Sequence, residues 1–180
     1  TLTISKKLNY PKGIGISYNN LGIIQHYFLS DPLEGLEYYQ KSYAIFENEP
    51  KFQKYAVGVL TNIGLINLEQ QEYDKALTSF RTLLINPENK NKFTTQFYIA
   101  NVYGEQKKLD SSIYYYKKSL IGAEQSNHHL YIANIKTNLG LVQTNAGFLE
   151  EGLTTISESL NLIEEHNIES LRVPAYTNAA

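Results

Sequence analysis

The sequence predicts an all-α chain built from repeated pairs of antiparallel helices. Small residues recur at Gly22, Gly64, Ala100, Gly140 and Ala180, at intervals of 42, 36, 40 and 40 residues. The few residues just before each of them are also similar, since they include an aromatic residue, Asn or Thr in a similar order. This similarity indicates a repeated unit. A fixed period in the range of about 20–50 residues is typical of arrays of small structural repeats.

The first helix of each unit carries apolar residues at helical spacing, as in Tyr55, Val59, Ile63 and Ile66. The small residue lies inside this pattern, where glycine costs about 1 kcal/mol relative to alanine. Because this cost recurs at one phase of the repeat, we expect it to allow the close approach of a second helix.

The second helix of each unit follows a short polar turn and has an apolar pattern of its own. Four such helices are predicted, over residues 33–46, 73–84, 109–120 and 149–163. Asp31 and Pro32 form a start signal, because an aspartate oxygen caps a helix and proline suits its first turn. Further prolines lie between units, where a helix begins again: Pro11, Pro50, Pro87 and Pro174.

These signals divide the chain into parts of one repeat array. Residues 1–10 are predicted to be the tail of a preceding unit, 11–49, 50–86, 87–126 and 127–168 four repeats, and 169–180 the start of a further unit. The two ends are in phase, since Asn9 aligns with Asn167 and Tyr18 with Tyr176. Both ends are then expected to expose apolar stripes, and head-to-tail self-association is a hypothesis.

These positions resemble the tetratricopeptide repeat (TPR), in which a Leu-Gly pair on the first helix is followed by Ala and Phe on the second. The second unit fits best, with Leu60, Ile63, Gly64, Ala76 and Phe80. The other units keep the pattern in part: Tyr18, Leu21, Gly22, Gly35 and Tyr39, then Ile99, Ala100, Tyr103, Ser112 and Tyr116, then Leu139, Gly140, Gly152 and Ile156. The first unit has one extra residue in its turn.

The units depart from the usual TPR period of about 34 residues. Longer units are similar to those of kinesin light chains and of bacterial signalling proteins, including peptide-sensing regulators of the Rap type. The resemblance implies a right-handed α-solenoid whose first helices line a concave face. It implies a module that binds a peptide or protein within a larger bacterial signalling or regulatory protein. The alternative is a ligand-sensing segment that controls an attached kinase or DNA-binding domain.

The resemblance also locates a candidate groove. Equivalent positions two residues before the small residue hold Asn20, Asn62, Tyr98, Asn138 and Asn178. A side-chain amide has donors and an acceptor, which suits the backbone of an extended peptide. Neighbouring groove positions are expected to add selectivity, and they are Asn19, Ile23, His26, Tyr27, Leu65, Phe97, Asn101, Leu141 and Asn145. An alternative stays open, in which the amides bond to an adjacent helix and serve the fold.

Composition argues against several other kinds of function. The net charge is −2 and the basic residues are scattered, so no nucleic-acid surface is predicted. No apolar run reaches the roughly 18 residues of a membrane span, and no membrane contact is expected. Cysteine is absent, and the adjacent His128 and His129 would point about 100° apart on a helix, so no metal or cofactor is predicted. No nucleophile–base or carboxylate pair is recognisable, so no enzymatic activity is predicted.

Overall fold

The computed structural model describes residues 2–171, and every regular element in this range is helical. The helices are α1 (Leu2–Lys7), α2 (Pro11–Ile23), α3 (Pro32–Phe46), α4 (Gln53–Glu69), α5 (Tyr73–Ile85), α6 (Lys92–Glu105), α7 (Leu109–Gln125), α8 (His129–Asn145) and α9 (Leu149–Glu165). A π-helical turn over Ile24–Phe28 follows α2, and a 3₁₀ turn over Pro50–Phe52 precedes α4. The predicted all-α class is confirmed. Pro174, Tyr176 and Asn178 lie outside the described residues.

The chain divides into two compact units, residues 1–90 and residues 91–180. In the first unit, α2 packs against α3, α3 against α4, and α4 against α5. In the second unit, α6 packs against α7, α7 against α8, and α8 against α9. Each of the four predicted repeats contains one hairpin, namely α2–α3, α4–α5, α6–α7 and α8–α9, while the exact repeat boundaries stay a prediction.

The core of each unit lies between its successive hairpins. In the first unit, Tyr39 and Phe46 of α3 pack with Ala56, Val59 and Ile66 of α4. The core of the second unit combines residues of α6, α7 and α8, and its main members are Phe93, Phe97, Ala100, Tyr116, Ile132, Ile135 and Leu139. Burial of this apolar surface is the main source of stability, at about 25 cal/mol per Å².

The recurring small residues lie where the two helices of a hairpin cross. A Cβ atom on Gly140 would lie 2.7 Å from the carbonyl oxygen of Gly152, and one on Gly64 would overlap the ring of Phe80. A side chain at either position would force the helices apart. The predicted close approach is therefore confirmed, and it explains why glycine recurs despite its low helix propensity.

In three of the hairpins, a buried serine on the second helix donates a hydrogen bond to the first helix. These bonds were not predicted from the sequence. Ser42 donates to the carbonyl oxygen of Gly15 at 2.8 Å, and Ser119 donates to that of Phe93 at 2.7 Å. Ser159 makes the same bond to Ala133 at 2.7 Å. Each serine lies two helical turns after the small residue of its own helix. This constant spacing is a sequence signal from which the bonds could have been predicted.

The extra residue of the first repeat is accommodated in the π-helical turn Ile24–Phe28. Gly22 and Gly35 are 13 residues apart, whereas Gly64 and Ala76 are 12 apart. A π-helical turn inserts one residue into an α-helix without ending it, and such turns often occur at functional sites. Asp31 then begins α3, because its Oδ1 atom accepts from the backbone N–H of Glu34 at 3.0 Å.

Within residues 2–171, no helix combines the length and the apolar character that crossing a membrane requires.

Candidate partner-binding face

Two asparagines connect the first helices of the first two hairpins. Asn62 on α4 donates from Nδ2 to Oδ1 of Asn19 on α2, at 3.1 Å. Both residues are half-buried, and Asn20 beside them is exposed. The predicted groove residues Asn19, Asn20 and Asn62 are therefore neighbours in the first unit, but the direct bond involves Asn19 rather than the repeat-equivalent Asn20.

A second polar pair connects the π-helical turn that follows α2 with α4. His26 Nε2 lies 2.5 Å from Glu69 Oε2, and His26 is only 8% exposed. Because a carboxylate can only accept, Nε2 carries the proton, and the buried Nδ1 has no hydrogen-bond partner among the described residues. The ring of Tyr27 packs 4.1 Å from that of His26. Burial and the charge of Glu69 raise the pKa of the Tyr27 hydroxyl.

The two pairs have the same spacing along the chain. Asn19 and His26 are seven residues apart, and so are Asn62 and Glu69. Seven residues make almost two helical turns, or about 10 Å along the axis. We call these four residues the polar seam of the first unit. Ile23 and Leu65 lie between the pairs and are half-buried.

In the second unit, the predicted groove residues make bonds of a different kind. Asn138 donates from Nδ2 to the carbonyl oxygen of Asn134 at 2.8 Å and to its Oδ1 at 2.9 Å, one turn back on α8. Asn101 on α6 accepts from the Tyr116 hydroxyl on α7 at 2.5 Å. The alternative interpretation, in which amides bond to an adjacent helix, therefore fits both the bond from Asn62 to Asn19 and the bond from Tyr116 to Asn101.

The remaining predicted residues of the second unit differ in exposure. Tyr98 and Leu141 are half-buried, and Asn145 is exposed at the end of α8. The prediction that Phe97 lines the groove is wrong, because its side chain is only 7% exposed and belongs to the core. It lies one turn before Ala100, so it shares the face of α6 that packs on α7.

Two residues of this face escaped the sequence analysis. Glu69 was not predicted, although its separation from His26 equals that of Asn62 from Asn19, at 43 residues. Asn134 was not predicted either, although it precedes Asn138 by one helical turn. In both cases the signal was a residue one or two turns from a predicted position on the same helix.

Histidines meet at one place that the sequence did not predict. The rings of His129 and His166 stack at a centroid distance of 3.8 Å, with planes 24° apart. Ring nitrogens bind metals in the plane of the ring, so two stacked rings do not direct their nitrogens at one ion. Among residues 2–171, no group of three or more His, Asp or Glu residues could hold a metal ion.

No protein-family model matches the chain, and no curated protein matches it. Solved structures do match. The apo form of RapI gives a TM-score of 0.81 at 14% identity, over 89% of this chain and 60% of that chain. Aspartyl phosphate phosphatase F from Bacillus subtilis gives 0.79 at 12% identity, over 87% and 42%. A chain of the APC/C hetero-tetramer Cut9–Hcn1 gives 0.68 at 22% identity, over 92% and 29%.

The fold is tetratricopeptide-like. These neighbours are TPR-like helical-repeat proteins, and the chain shares their fold, a TPR-like α-solenoid of antiparallel hairpins. The chain spans 60% and 42% of the lengths of the first two neighbours. One neighbour is named a phosphatase, so the predicted lack of enzymatic activity stays a prediction.

Proposed function

We propose that this TPR-like segment binds a partner polypeptide on the inner faces of its first helices. The observation that carries the proposal is the polar seam, in which Asn62 donates to Asn19 and His26 to Glu69. Each amide uses only one of its hydrogen-bonding groups in this bond, and an amide can make up to four. The Nδ2 group of Asn19 and the Oδ1 atom of Asn62 are then available to a peptide backbone.

Pre-organisation is the physical advantage of this arrangement. A free asparagine loses rotamer freedom when it binds, at a cost of about 0.5–1.5 kcal/mol for each immobilised side chain. Asn19 and Asn62 have lost part of that freedom already, because each holds the other. In the second unit, the bonds from Asn138 to Asn134 fix the Asn138 amide in the same way.

The inner-face set in this proposal combines the residues predicted from the sequence with one found in the structure. In the first unit it comprises Asn19, Asn20, Ile23, Tyr27, Asn62, Leu65 and Glu69, with His26 as the residue that positions Glu69. In the second unit it comprises Tyr98, Asn101, Asn138, Leu141 and Asn145, and Asn178 is included from the sequence alone. Half-buried apolar residues beside amides suit side chains that alternate along an extended peptide.

The wider role follows from the neighbours as an inference. One neighbour is a chain of a hetero-tetramer, and another was solved in an apo form. We propose a protein or peptide partner for this chain and a place in a larger bacterial signalling or regulatory protein. The alternative is a sensor segment that controls an attached kinase or DNA-binding domain. No nucleic acid, membrane, metal or cofactor is part of the proposal, and neither is catalysis.

Head-to-tail self-association is a further part of the proposal. Ile4 and Leu8 are exposed at the first helix, where another hairpin would pack in an array. The opposite surface would come from residues 169–180, most of which lie outside the described range. Light scattering over a concentration series tests this, and a monomeric mass at the highest concentration would exclude it.

The experiment that tests binding itself is a selection of random 12-residue peptides, displayed on phage, with the chain as bait. The proposal expects enrichment of peptides that also bind as free synthetic peptides and bind less well to variants of the amides. A selection that yields only peptides indifferent to those variants would contradict it.

A further inference from the structure

Large apolar side chains are exposed together at the turn of the first hairpin. They are Ile24, Tyr27, Phe28, Leu29 and Leu33, and we call them the first-turn patch. Phe28 is 76% exposed and Leu33 is 70% exposed. Exposed apolar residues are common singly, whereas a contiguous set of them marks an interaction surface.

The fold does not require apolar residues at this turn. The corresponding turn of the second hairpin has a residue of the same left-handed conformation, since Gln71 has a φ of 60° and Ser30 a φ of 55°, but it lacks the π-helical turn. The residues that correspond to Phe28 and Leu29 are the polar Glu69 and Gln70, and Gln71 and Glu72 follow them. The second hairpin therefore does not share the apolar residues of the first, whereas the fourth hairpin also exposes Phe148 and Leu149 beside its turn. Stability cannot explain the apolar residues of the first turn, because these side chains bury little.

The first-turn patch is bordered by acidic residues. From Gly13 to Gln40 the chain contains no Lys or Arg, whereas Asp31, Glu34 and Glu37 lie beside the patch in sequence. The carboxylate of Glu69 lies next to Tyr27, whose pKa its charge helps to raise. Of these acidic residues, only Glu37 forms a described ion pair with a lysine, namely with Lys41 at 3.4 Å. The border therefore carries an excess of negative charge.

We propose that the first-turn patch docks an amphipathic helix of a partner protein, with apolar anchors on one face and Lys or Arg at its edges. The turn has no strand edge to which an extended segment could add, whereas a cluster of apolar side chains suits anchors spaced three and four residues apart. The acidic border selects basic flanks and steers their approach. This surface is distinct from the amides of the inner face, although Tyr27 and its neighbour Glu69 also belong to the inner-face set.

Charge also argues against two other occupants. A second copy of the patch would bring its own carboxylates against the same border, and like charges repel. Membranes attract basic segments through anionic lipids, and an acidic border is repelled by them. The test below distinguishes each of these two occupants from a partner helix.

The test uses a fluorescein-labelled 14-residue helix of leucine and lysine, and a matched helix with glutamate in place of lysine. Fluorescence anisotropy measures the affinity of each for the 180-residue chain and for the double variant Phe28→Gln, Leu29→Gln. Both side chains are exposed, so the variant is expected to fold as the natural chain does. The control is Phe148→Gln, Leu149→Gln, which removes two apolar residues of the second unit that are more than half exposed, with Phe148 beside Lys117.

We expect the natural chain to bind the lysine helix at least about tenfold more tightly than the glutamate helix, and Phe28→Gln, Leu29→Gln to lose at least about tenfold. The control variant should keep the natural affinity. Equal affinity of the patch variant, or of the two helices, would overturn the proposal. So would patch-dependent binding to phosphatidylserine vesicles, or a dimer mass in sedimentation that the patch variant lacks.

Discussion

The side-chain amide of Asn62 donates to that of Asn19 across 3.1 Å, and so connects the first helices of two successive hairpins. The link joins residues 43 positions apart, and His26 and Glu69 repeat it two turns further on. Polar side chains on a helix are usually solvated, so their pairing at a fixed offset needs a reason. The pairing holds two amide groups and one carboxylate in place on the face where a partner is proposed to bind.

The first prediction concerns the amides. Asn62→Leu and Asn138→Leu together should weaken binding of selected peptides by roughly five- to a hundredfold, because each lost hydrogen bond is worth about 0.5–1.5 kcal/mol. Isothermal titration calorimetry gives the affinities, and circular dichroism checks that helix content is unchanged. Asn161→Leu is the matched control, since Asn161 is exposed on the second helix α9. Unchanged affinity would remove the amides from the site, and loss of helix would favour a role in folding.

The second prediction concerns two glycines of α4. Gly64→Ala should lower the free energy of unfolding by about 1–3 kcal/mol, because the added Cβ atom overlaps the ring of Phe80. Gly58→Ala should raise it by about 0.5–1 kcal/mol, because outside its own stretch of helix no described atom lies within 4 Å of the added Cβ, and alanine favours the helix. Urea unfolding measures both. Effects of equal sign would contradict the assignment of Gly64 to the helix crossing.

The third prediction concerns the serine that ties α6 to α7. Ser119→Ala should cost about 1 kcal/mol of stability, because Ser119 is fully buried and donates to the carbonyl oxygen of Phe93 at 2.7 Å. Ser126→Ala should cost less, since Ser126 is exposed and bonds only to Gly122 within its own turn. The two variants are compared by urea unfolding. If Ser119→Ala lost no more stability than Ser126→Ala, the result would contradict a stabilising role for the inter-helix bond.

The fourth prediction concerns stability at alkaline pH. Burial raises the pKa of the Tyr39 and Tyr116 hydroxyls far above the value of about 10 for a free tyrosine. The unfolded chain therefore loses protons above about pH 10 that the folded chain keeps. The free energy of unfolding should then fall as pH rises, by up to about 1.4 kcal/mol per pH unit for each tyrosine.

Tyr39→Phe tests this directly. The Tyr39 hydroxyl is buried and has no hydrogen-bond partner among the described residues, so its removal should cost little near pH 7. Above about pH 10, the variant should lose stability with pH less steeply than the natural chain does. An exposed tyrosine serves as the control in Tyr114→Phe. Identical slopes for all three chains would contradict the assigned burial of Tyr39.

Sequence alone predicted the hairpins because their signals are local. The spacing of Tyr55, Val59 and Ile63 and the Asp31-Pro32 start depend on residues within a few turns, and the recurrence of glycine adds the period of the repeat. The groove was harder to predict, because it depends on which face of each helix is covered. Phe97 was assigned to the groove although it shares the face of Ala100, and that face packs against α7.

Contacts between successive hairpins could not be predicted from short-range sequence patterns. Glu69 has no distinguishing neighbour in sequence, and only the packing of α4 against the first hairpin brings it to His26. The π-helical turn was visible only as one extra residue, since nothing in Ile24–Phe28 specifies where that residue is inserted. The buried serines were periodic, but serine is common at helix surfaces, so their phase alone did not indicate a bond.

The central claim is that a peptide binds the inner faces of the first helices, and each unit is tested separately. Photo-crosslinking tests it most directly, with benzoylphenylalanine in place of Leu65 on α4 or Leu141 on α8, and mass spectrometry of the products formed with a selected peptide. Thr82 on α5 and Asn161 on α9 are the control positions, because both are exposed on second helices. The account predicts crosslinks from Leu65 and Leu141 and little from Thr82 or Asn161. Crosslinks only from the second helices would contradict it.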